Sequence, residues 1–167
     1  MNRLWIALRS LVYVPLFLAA WGAVALFCRG FDTYIPFRIP GWLIVPGAVL
    51  AVAGAALALS TVFLFIIRGF GTPAIFDPPK RFVPVGPYRW VRNPMYTGGV
   101  AMLLGLGCYL TSVGMILFAG VALLLIHTFV LLAEEPGLRK RFGQEYEDYC
   151  RAVPRWIPRF SGQRPPK

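Results

Sequence analysis

Four apolar stretches dominate this chain and leave few architectures open to it. They cover residues 4–28, 42–67, 95–112 and 114–133. An α-helix needs about 20 apolar residues to cross the hydrocarbon core of a bilayer. The third stretch is barely long enough, whereas the other three reach this length with little or no charge inside them. The sequence therefore predicts an all-α integral membrane protein of about four transmembrane helices, the last two forming a C-terminal helical hairpin.

Composition and charge agree with a membrane protein. Only 14% of the 167 residues are charged, where a soluble domain carries about 25%. The net charge of +10 could indicate nucleic-acid binding, but the basic residues lie between the apolar stretches. All but two of the 17 lysines and arginines, Arg29 and Arg38, fall on the side of the N-terminus, the 68–94 loop and the tail from residue 134. The positive-inside rule makes this side cytoplasmic, and we expect an inner-membrane type of protein without nucleic-acid partners.

Two details of the apolar stretches bear on structure. The first stretch is long and others follow it, so we expect a retained helix and not a cleaved signal peptide. In the second, Gly47, Ala51 and Ala55 form a stripe of small residues. Such a stripe allows close packing of helices in lipid, although alanine and glycine are also simply common in membrane helices. The three cysteines are far apart and show no metal-ligand spacing, so we expect no metal site.

The two polar connections on the cytoplasmic side differ in kind. The 68–94 loop contains six prolines and cannot form one continuous helix. The tail has apolar residues at helical spacing between charged ones: Leu138, Phe142, Tyr146, Tyr149 and Val153. This pattern predicts one amphipathic cytoplasmic helix, lying either on the membrane or against the loop.

Polar residues collect at both cytoplasmic ends of the predicted hairpin, in segments 86–96 and 134–146. The hairpin should bring the two segments together. If Pro136 starts a new helix, Glu134 and Glu135 lie at its N-terminus, where negative charge is favoured. The pair could cap that helix in water, but carboxylates near membrane depth favour a site for a cation.

Aromatic residues and one histidine are further candidates. Tyr88, Trp90 and Tyr96 could form an interfacial aromatic belt, or a wall for an adenine ring or a sulfonium cation. His127 is the single histidine of the chain and lies two α-helical turns before Glu134. It could bond a neighbouring helix or accept a proton from a substrate.

At these residues the sequence resembles the isoprenylcysteine carboxyl methyltransferase and phospholipid methyltransferase superfamily. The matching motifs, in chain order, are Gly86-Pro87-Tyr88, Arg92-Asn93-Pro94-Met95-Tyr96, Glu134-Glu135, Phe142-Gly143, Tyr146, Tyr149 and Val153-Pro154-Arg155-Trp156-Ile157-Pro158. They extend over the C-terminal half from Lys80 onward. Their combined order and spacing are specific, while each motif alone is weak.

The resemblance implies a membrane-embedded methyltransferase that uses S-adenosylmethionine and takes a lipophilic or small-molecule acceptor from the membrane lipid. It implies a single domain over residues 1–167, with two N-terminal transmembrane helices in 1–67 and a cofactor-binding catalytic half in 68–167. The residues that it places at the cofactor are Lys80, Arg81, Phe82, Val83, Tyr88, Asn93, Pro94, Met95, Tyr96, Glu134 and Glu135. The catalytic candidates are His127, Glu134 and Arg92.

Two departures from the family pattern limit what the resemblance implies. Asn93 stands where the family usually has a histidine, so titration at that position is lost. Val130 stands where the eukaryotic prenylcysteine enzymes have an arginine for the substrate carboxylate. A phospholipid amine, a small thiol and an isoprenoid-type carboxylate therefore remain open as acceptors. The alternatives are a membrane NADPH-dependent reductase, whose family resembles this one at the C-terminus, and a non-catalytic membrane protein of the same fold.

Overall fold

The computed structural model describes residues 3–69 and 84–158, and this part of the chain is helical without a β-strand. The leucine- and alanine-rich stretches form helices because each backbone polar group must find a partner inside its own segment in lipid. Six α-helices are present in the described part: α1 Arg3–Arg29, α2 Ile44–Leu64, α3 Pro94–Tyr109, α4 Val113–Phe129, α5 Glu135–Phe142 and α6 Gln144–Ala152.

The predicted all-helical membrane architecture is confirmed. Within the described residues, three helical stretches are long and apolar enough to cross a membrane: Leu4–Tyr34, Gly41–Arg68 and Val113–Phe142. Each includes a short 3₁₀ or π-helical turn or a further helix beyond the α-helix itself. The fourth predicted span is α3, whose 16 residues extend only about 24 Å at 1.5 Å per residue. The count of four spans is therefore approximate.

The closest helix packing joins α2 to α3. Gly47, Ala51 and Gly54 are buried on α2, and a Cβ atom added at Gly54 would lie 2.5 Å from the backbone nitrogen of Met102. The small-residue stripe is therefore a contact face, with Gly54 more deeply buried than the predicted Ala55. Although α3 is short, this close contact packs it against α2, which belongs to a stretch long enough to cross a membrane.

The predicted hairpin of α3 and α4 is present, and α1 packs on its outer end. Thr111 turns the chain with a φ of 50°, and Ser112 caps α4 by accepting a hydrogen bond from the Met115 N–H at 3.2 Å. Asp32, which follows α1, accepts the Gly114 N–H at 2.7 Å. The end of α1 and the start of α4 are thereby joined at the turn of the hairpin.

The tail is helical as predicted, but it forms two helices, α5 and α6, where one was expected. Gly143 separates α5 from α6 and has a φ of 55°, a conformation that glycine adopts without a Cβ penalty. The predicted apolar residues do share one cluster, built around buried Tyr146, Tyr149 and Val153. The Tyr149 hydroxyl donates to the Tyr88 carbonyl at 2.6 Å, so α6 lies against the segment that precedes α3.

Candidate functional site

The start of α3 and the end of the α4 stretch, the two open ends of the hairpin, meet through a direct hydrogen bond. The Tyr96 hydroxyl, in the first turn of α3, donates to Oε2 of Glu134 over 2.9 Å. Residues 38 positions apart in sequence are thus joined at the membrane boundary. The expectation that the 86–96 and 134–146 segments face each other is confirmed by this contact.

Glu134 is presented by an irregular turn. Residues Val130–Glu134 form a π-helical turn between α4 and α5, and the Glu135 N–H bonds the Val130 carbonyl five residues earlier. Pro136 follows in the first turn of α5, where it lacks the N–H that would bond the Leu132 carbonyl in a regular helix. The π-turn accommodates this missing donor, and π-turns are frequent at functional sites.

Glu135, the neighbour of Glu134, lies inside a group of three arginines. Arg155 holds it through two hydrogen bonds of 2.7 and 3.1 Å, Arg92 lies 3.0 Å away and Arg139 lies 3.8 Å away. The Glu135 side chain is only 3% exposed. Such a carboxylate, with a fork-shaped arginine pair, joins α5 to the α3 entry and to the tail.

Glu134 differs sharply from Glu135 in its partners. Among the side chains that the structure describes, Tyr96 is the one hydrogen-bond donor to Glu134, and no basic side chain forms an ion pair with it. No described basic side chain is therefore placed to balance a negative charge on this carboxylate. Of the two glutamates predicted to bind the cofactor, Glu134 has the freer carboxylate for a cation.

Tyr88 belongs to the same group as Tyr96 and Glu134. It lies in the 3₁₀ turn Gly86–Arg89, and its ring stacks on Phe65 with a centroid separation of 5.5 Å. Burial raises the pKa of the Tyr88 hydroxyl, and the nearby Tyr149 and Glu134 raise that pKa further. The hydroxyl thus stays neutral, and the ring adds an aromatic surface beside the carboxylate.

The Asn93–Tyr96 stretch is divided between two tasks. The side-chain amide of Asn93 donates to the Arg155 carbonyl at 3.3 Å. The backbone carbonyl of Asn93 accepts the Thr97 hydroxyl at 2.9 Å. Pro94 is fully buried and begins α3, and Met95 is half-buried beside it. Tyr96 alone of this stretch has its polar group on Glu134, whereas the Asn93 amide ties the stretch to the tail.

Arg92, predicted as a catalytic residue, also contacts the tail. Besides the ion pair with Glu135, its NH1 group lies 2.9 Å from the Cys150 sulfur, and its backbone N–H donates to the Pro154 carbonyl at 2.8 Å. Its Nε atom is buried without a hydrogen-bond partner. The described contacts of Arg92 hold α6 and the tail against the start of α3.

His127 is engaged by the tail as well. The indole N–H of Trp156 donates to Nδ1 of His127 over 3.0 Å, and both side chains are half-buried. The expected alignment of His127 with Glu134 assumed a regular α-helical period, and the π-turn between them changes that period. His127 thus lies under the tail.

Four predicted cofactor contacts, Lys80, Arg81, Phe82 and Val83, lie outside the described residues. Three residues of the site were not selected from the sequence as site residues: Tyr149, Arg155 and Trp156. The terminal Val153–Pro158 motif was the available signal, but nothing in its pattern shows which side chains it would meet. Among the described residues, no group of three His, Cys, Asp or Glu side chains is placed to hold a metal ion.

Comparison with known proteins decides the family. The model of the phospholipid methyltransferase family matches residues 42–145, which include α2, the hairpin and both glutamates. The chain belongs to the phospholipid methyltransferase family. The family resemblance seen in the sequence is confirmed, and the fold is that of a membrane methyltransferase family.

Two curated relatives are similar over a shorter region. The nickel-cobalt-cadmium resistance protein NccN of Alcaligenes xylosoxydans xylosoxydans is 32% identical over 79 residues, which cover 47% of this chain and 37% of NccN. The cobalt-zinc-cadmium resistance protein CzcN of Cupriavidus metallidurans is 32% identical over 79 residues, covering 47% of this chain and 36% of CzcN. The chain therefore aligns with little more than a third of the length of these two relatives. No solved structure matches the chain.

Proposed function

We propose that this membrane methyltransferase transfers a methyl group from S-adenosylmethionine to a lipophilic acceptor at the cytoplasmic face of the membrane. The observation that carries the proposal is the pairing of Tyr96 with Glu134, a carboxylate that no described basic side chain neutralises. Family membership supports methyl transfer. The identity of the methyl donor is our inference from the residues at the site.

The residues suit S-adenosylmethionine in charge and in aromatic surface. The cofactor carries an ammonium and a sulfonium group, and Glu134 supplies one negative charge for either of them. The rings of Tyr88 and Tyr96 supply aromatic surface, which attracts cations and stacks with a purine. When bound, S-adenosylmethionine provides a methyl group on a positively charged sulfur, and the sulfur leaves as a neutral thioether when a lone pair of the acceptor bonds the methyl carbon.

Four residues of the site have distinct tasks in this proposal. Glu134 binds the cation, and Tyr96 orients the Glu134 carboxylate through their hydrogen bond. Arg92 and Glu135 act as positioning residues, since their ion pair closes the tail over the start of α3. A closed site excludes water and holds the reactants in line, which provides much of the rate that a displacement needs.

The acceptor class follows from location and family. A site at the end of a transmembrane hairpin is reached from the bilayer, and the family is named for phospholipids. We propose a membrane lipid as the acceptor, without choosing between an amine, a thiol or a carboxylate as the methylated group. We further propose that residues 1–167 work as one domain, in an inner membrane, with both termini cytoplasmic.

The decisive experiment combines product identification with a matched pair of variants. The purified chain in liposomes receives methyl-labelled S-adenosylmethionine and total lipid extract, and mass spectrometry identifies the labelled lipid. Glu134→Gln should reduce cofactor affinity and labelling at least tenfold, whereas Glu145→Gln, on the exposed face of α6, should leave both unchanged. Equal loss or equal retention in the two variants would contradict the role of Glu134.

A cofactor comparison separates methyl transfer from reduction. Melting curves of the solubilised protein are recorded with S-adenosylmethionine and with NADPH, because a ligand that binds the folded state raises the melting temperature. We expect stabilisation by S-adenosylmethionine only. Stabilisation by NADPH alone would replace the proposal with a reductase, and stabilisation by neither would favour a non-catalytic protein.

A further inference from the structure

The segment after α6, residues 153–158, contacts the last turn of α4 at His127. Arg155 contacts Glu135, and the next residue, Trp156, contacts His127, which lies eight positions before Glu135 in the sequence. Eight helical residues extend about 12 Å, so Trp156 lies well on the membrane side of the Glu135 cluster. Neither Arg155 nor Trp156 lies within the range that matches the family model.

The chemistry of the Trp156–His127 bond fixes the state of the imidazole. An indole N–H can only donate a hydrogen bond, so Nδ1 of His127 must carry a lone pair. Imidazolium has a proton on both nitrogens and could not accept this bond. His127 is therefore the neutral tautomer with its proton on Nε2. In this tautomer Nε2 is a hydrogen-bond donor and cannot take a proton from a substrate.

The Nε2–H group is left for a ligand. Among the described residues, no group accepts a hydrogen bond from Nε2 of His127. This atom is not among the buried polar atoms. An unpartnered donor within the membrane-spanning stretch Val113–Phe142 is costly in lipid. Ionisable side chains at this depth usually serve a substrate or a relay.

We propose that His127, fixed by Trp156, forms the acceptor-binding part of the site and donates its Nε2–H to an oxygen atom of the lipid acceptor. The inference rests on the proposed methyl transfer and changes the predicted role of His127 from base to donor. Phosphate and carboxylate oxygens share the required chemistry, because both accept hydrogen bonds strongly. Trp156 is the positioning residue that makes His127 a donor only.

The tautomer can be read directly, because His127 is the single histidine of the chain. Protein labelled with ¹⁵N-histidine in dodecyl maltoside gives one imidazole signal set, whose two nitrogen shifts report which nitrogen is protonated. We expect an unprotonated Nδ1 and a protonated Nε2. Trp156→Phe should change this to a mixture of tautomers. Trp42→Phe, at an exposed position in the 3₁₀ turn that precedes α2, should not. A protonated Nδ1 in the unmodified chain, or no response to Trp156→Phe, would overturn the proposal.

The ligand is tested on the same sample. Phosphatidylethanolamine provides a phosphate oxygen and oleate a carboxylate oxygen, and each is titrated in separately. A shift of the Nε2–H signal with one lipid and not the other identifies the oxygen that binds, and a shift with both supports the shared chemistry. If neither lipid shifts the signal, His127 is not the acceptor-binding group.

Two substitutions distinguish a donor from a base during turnover. His127→Gln keeps an N–H donor but cannot act as a base, and His127→Leu removes both capacities. We expect KM for the lipid within about threefold of the unmodified protein for Gln and raised about tenfold for Leu, a loss typical of one hydrogen bond. Cofactor affinity, measured by calorimetry, should stay unchanged in both. A large fall in kcat for His127→Gln would restore the base role, whereas failure of the unmodified chain to bind S-adenosylmethionine would refute the proposed function and leave the tautomer measurement valid.

Discussion

Tyr96 and Glu134 come from opposite ends of the hairpin, and one hydrogen bond of 2.9 Å joins them. Tyr96→Phe removes this donor and leaves the ring in place. A hydrogen bond to a charged group contributes about 1.5–3 kcal/mol, so S-adenosylmethionine affinity should fall about tenfold or more in calorimetry. Tyr109→Phe is the matched control, since Tyr109 is exposed at the other end of α3. Equal affinity in both variants would show that Tyr96 does not orient the carboxylate.

The different tasks of the two glutamates show where single-residue prediction ends. Sequence order predicted that Glu134 and Tyr96 would approach each other, because a hairpin brings its ends together. The family pattern placed both glutamates at the cofactor and made Glu134 alone a catalytic candidate. Only the return of the tail gives Glu135 its contact with Arg155, and such a contact between residues 20 positions apart leaves no local periodicity in the sequence.

At the scale of elements, the Glu135 cluster attaches the tail to the hairpin. Glu135→Gln leaves three arginines around a neutral side chain, and loss of one partner from a buried ion pair costs about 3–5 kcal/mol. For a chain of this size we expect a melting temperature lower by about 10 °C. The exposed pair of Glu147 with Arg139 supplies the control, as Glu147→Gln should cost less than about 1 kcal/mol. A similarly small change in melting temperature for both variants would show that Glu135 does not attach the tail to the hairpin.

The α2–α3 contact gives a second prediction at this scale. A Cβ atom at Gly105 would overlap the backbone of Ala51, so Gly105→Ala must push the two helices apart. Overpacking of this kind costs about 1–3 kcal/mol. Gly120→Ala is the matched control on α4, where a Cβ meets no atom within 4 Å, and helix propensity there favours alanine by about 1 kcal/mol. Thermal unfolding should therefore move in opposite directions for the two variants.

Elements were predictable where one physical property determines them. Hydrophobic length predicted the spans and the hairpin of the last two stretches. The break at Gly143 and the π-turn before Pro136 were missed, since both depend on backbone geometry that apolar spacing does not report. The π-turn mattered most, because it interrupts the regular α-helical period between His127 and Glu134.

For the whole molecule, the distribution of charge makes a prediction that no contact in the structure tests. The predicted topology puts all but two of the 17 basic residues on the side of the site, and Lys and Arg are retained on the cytoplasmic side during insertion. In a chain whose three cysteines are replaced by alanine, Phe37→Cys and Glu145→Cys place single thiols at exposed positions on opposite sides.

A membrane-impermeant maleimide reads the orientation from these two thiols. Phe37→Cys should be modified in intact spheroplasts, and Glu145→Cys only after lysis, because α6 and the site then face the cytoplasm. Methyl transfer requires this orientation, since S-adenosylmethionine is made and kept inside the cell. Modification in the reverse order would place Glu134 on the outer surface, away from any cytoplasmic methyl donor, and the proposed function would fail even if the hairpin geometry were correct.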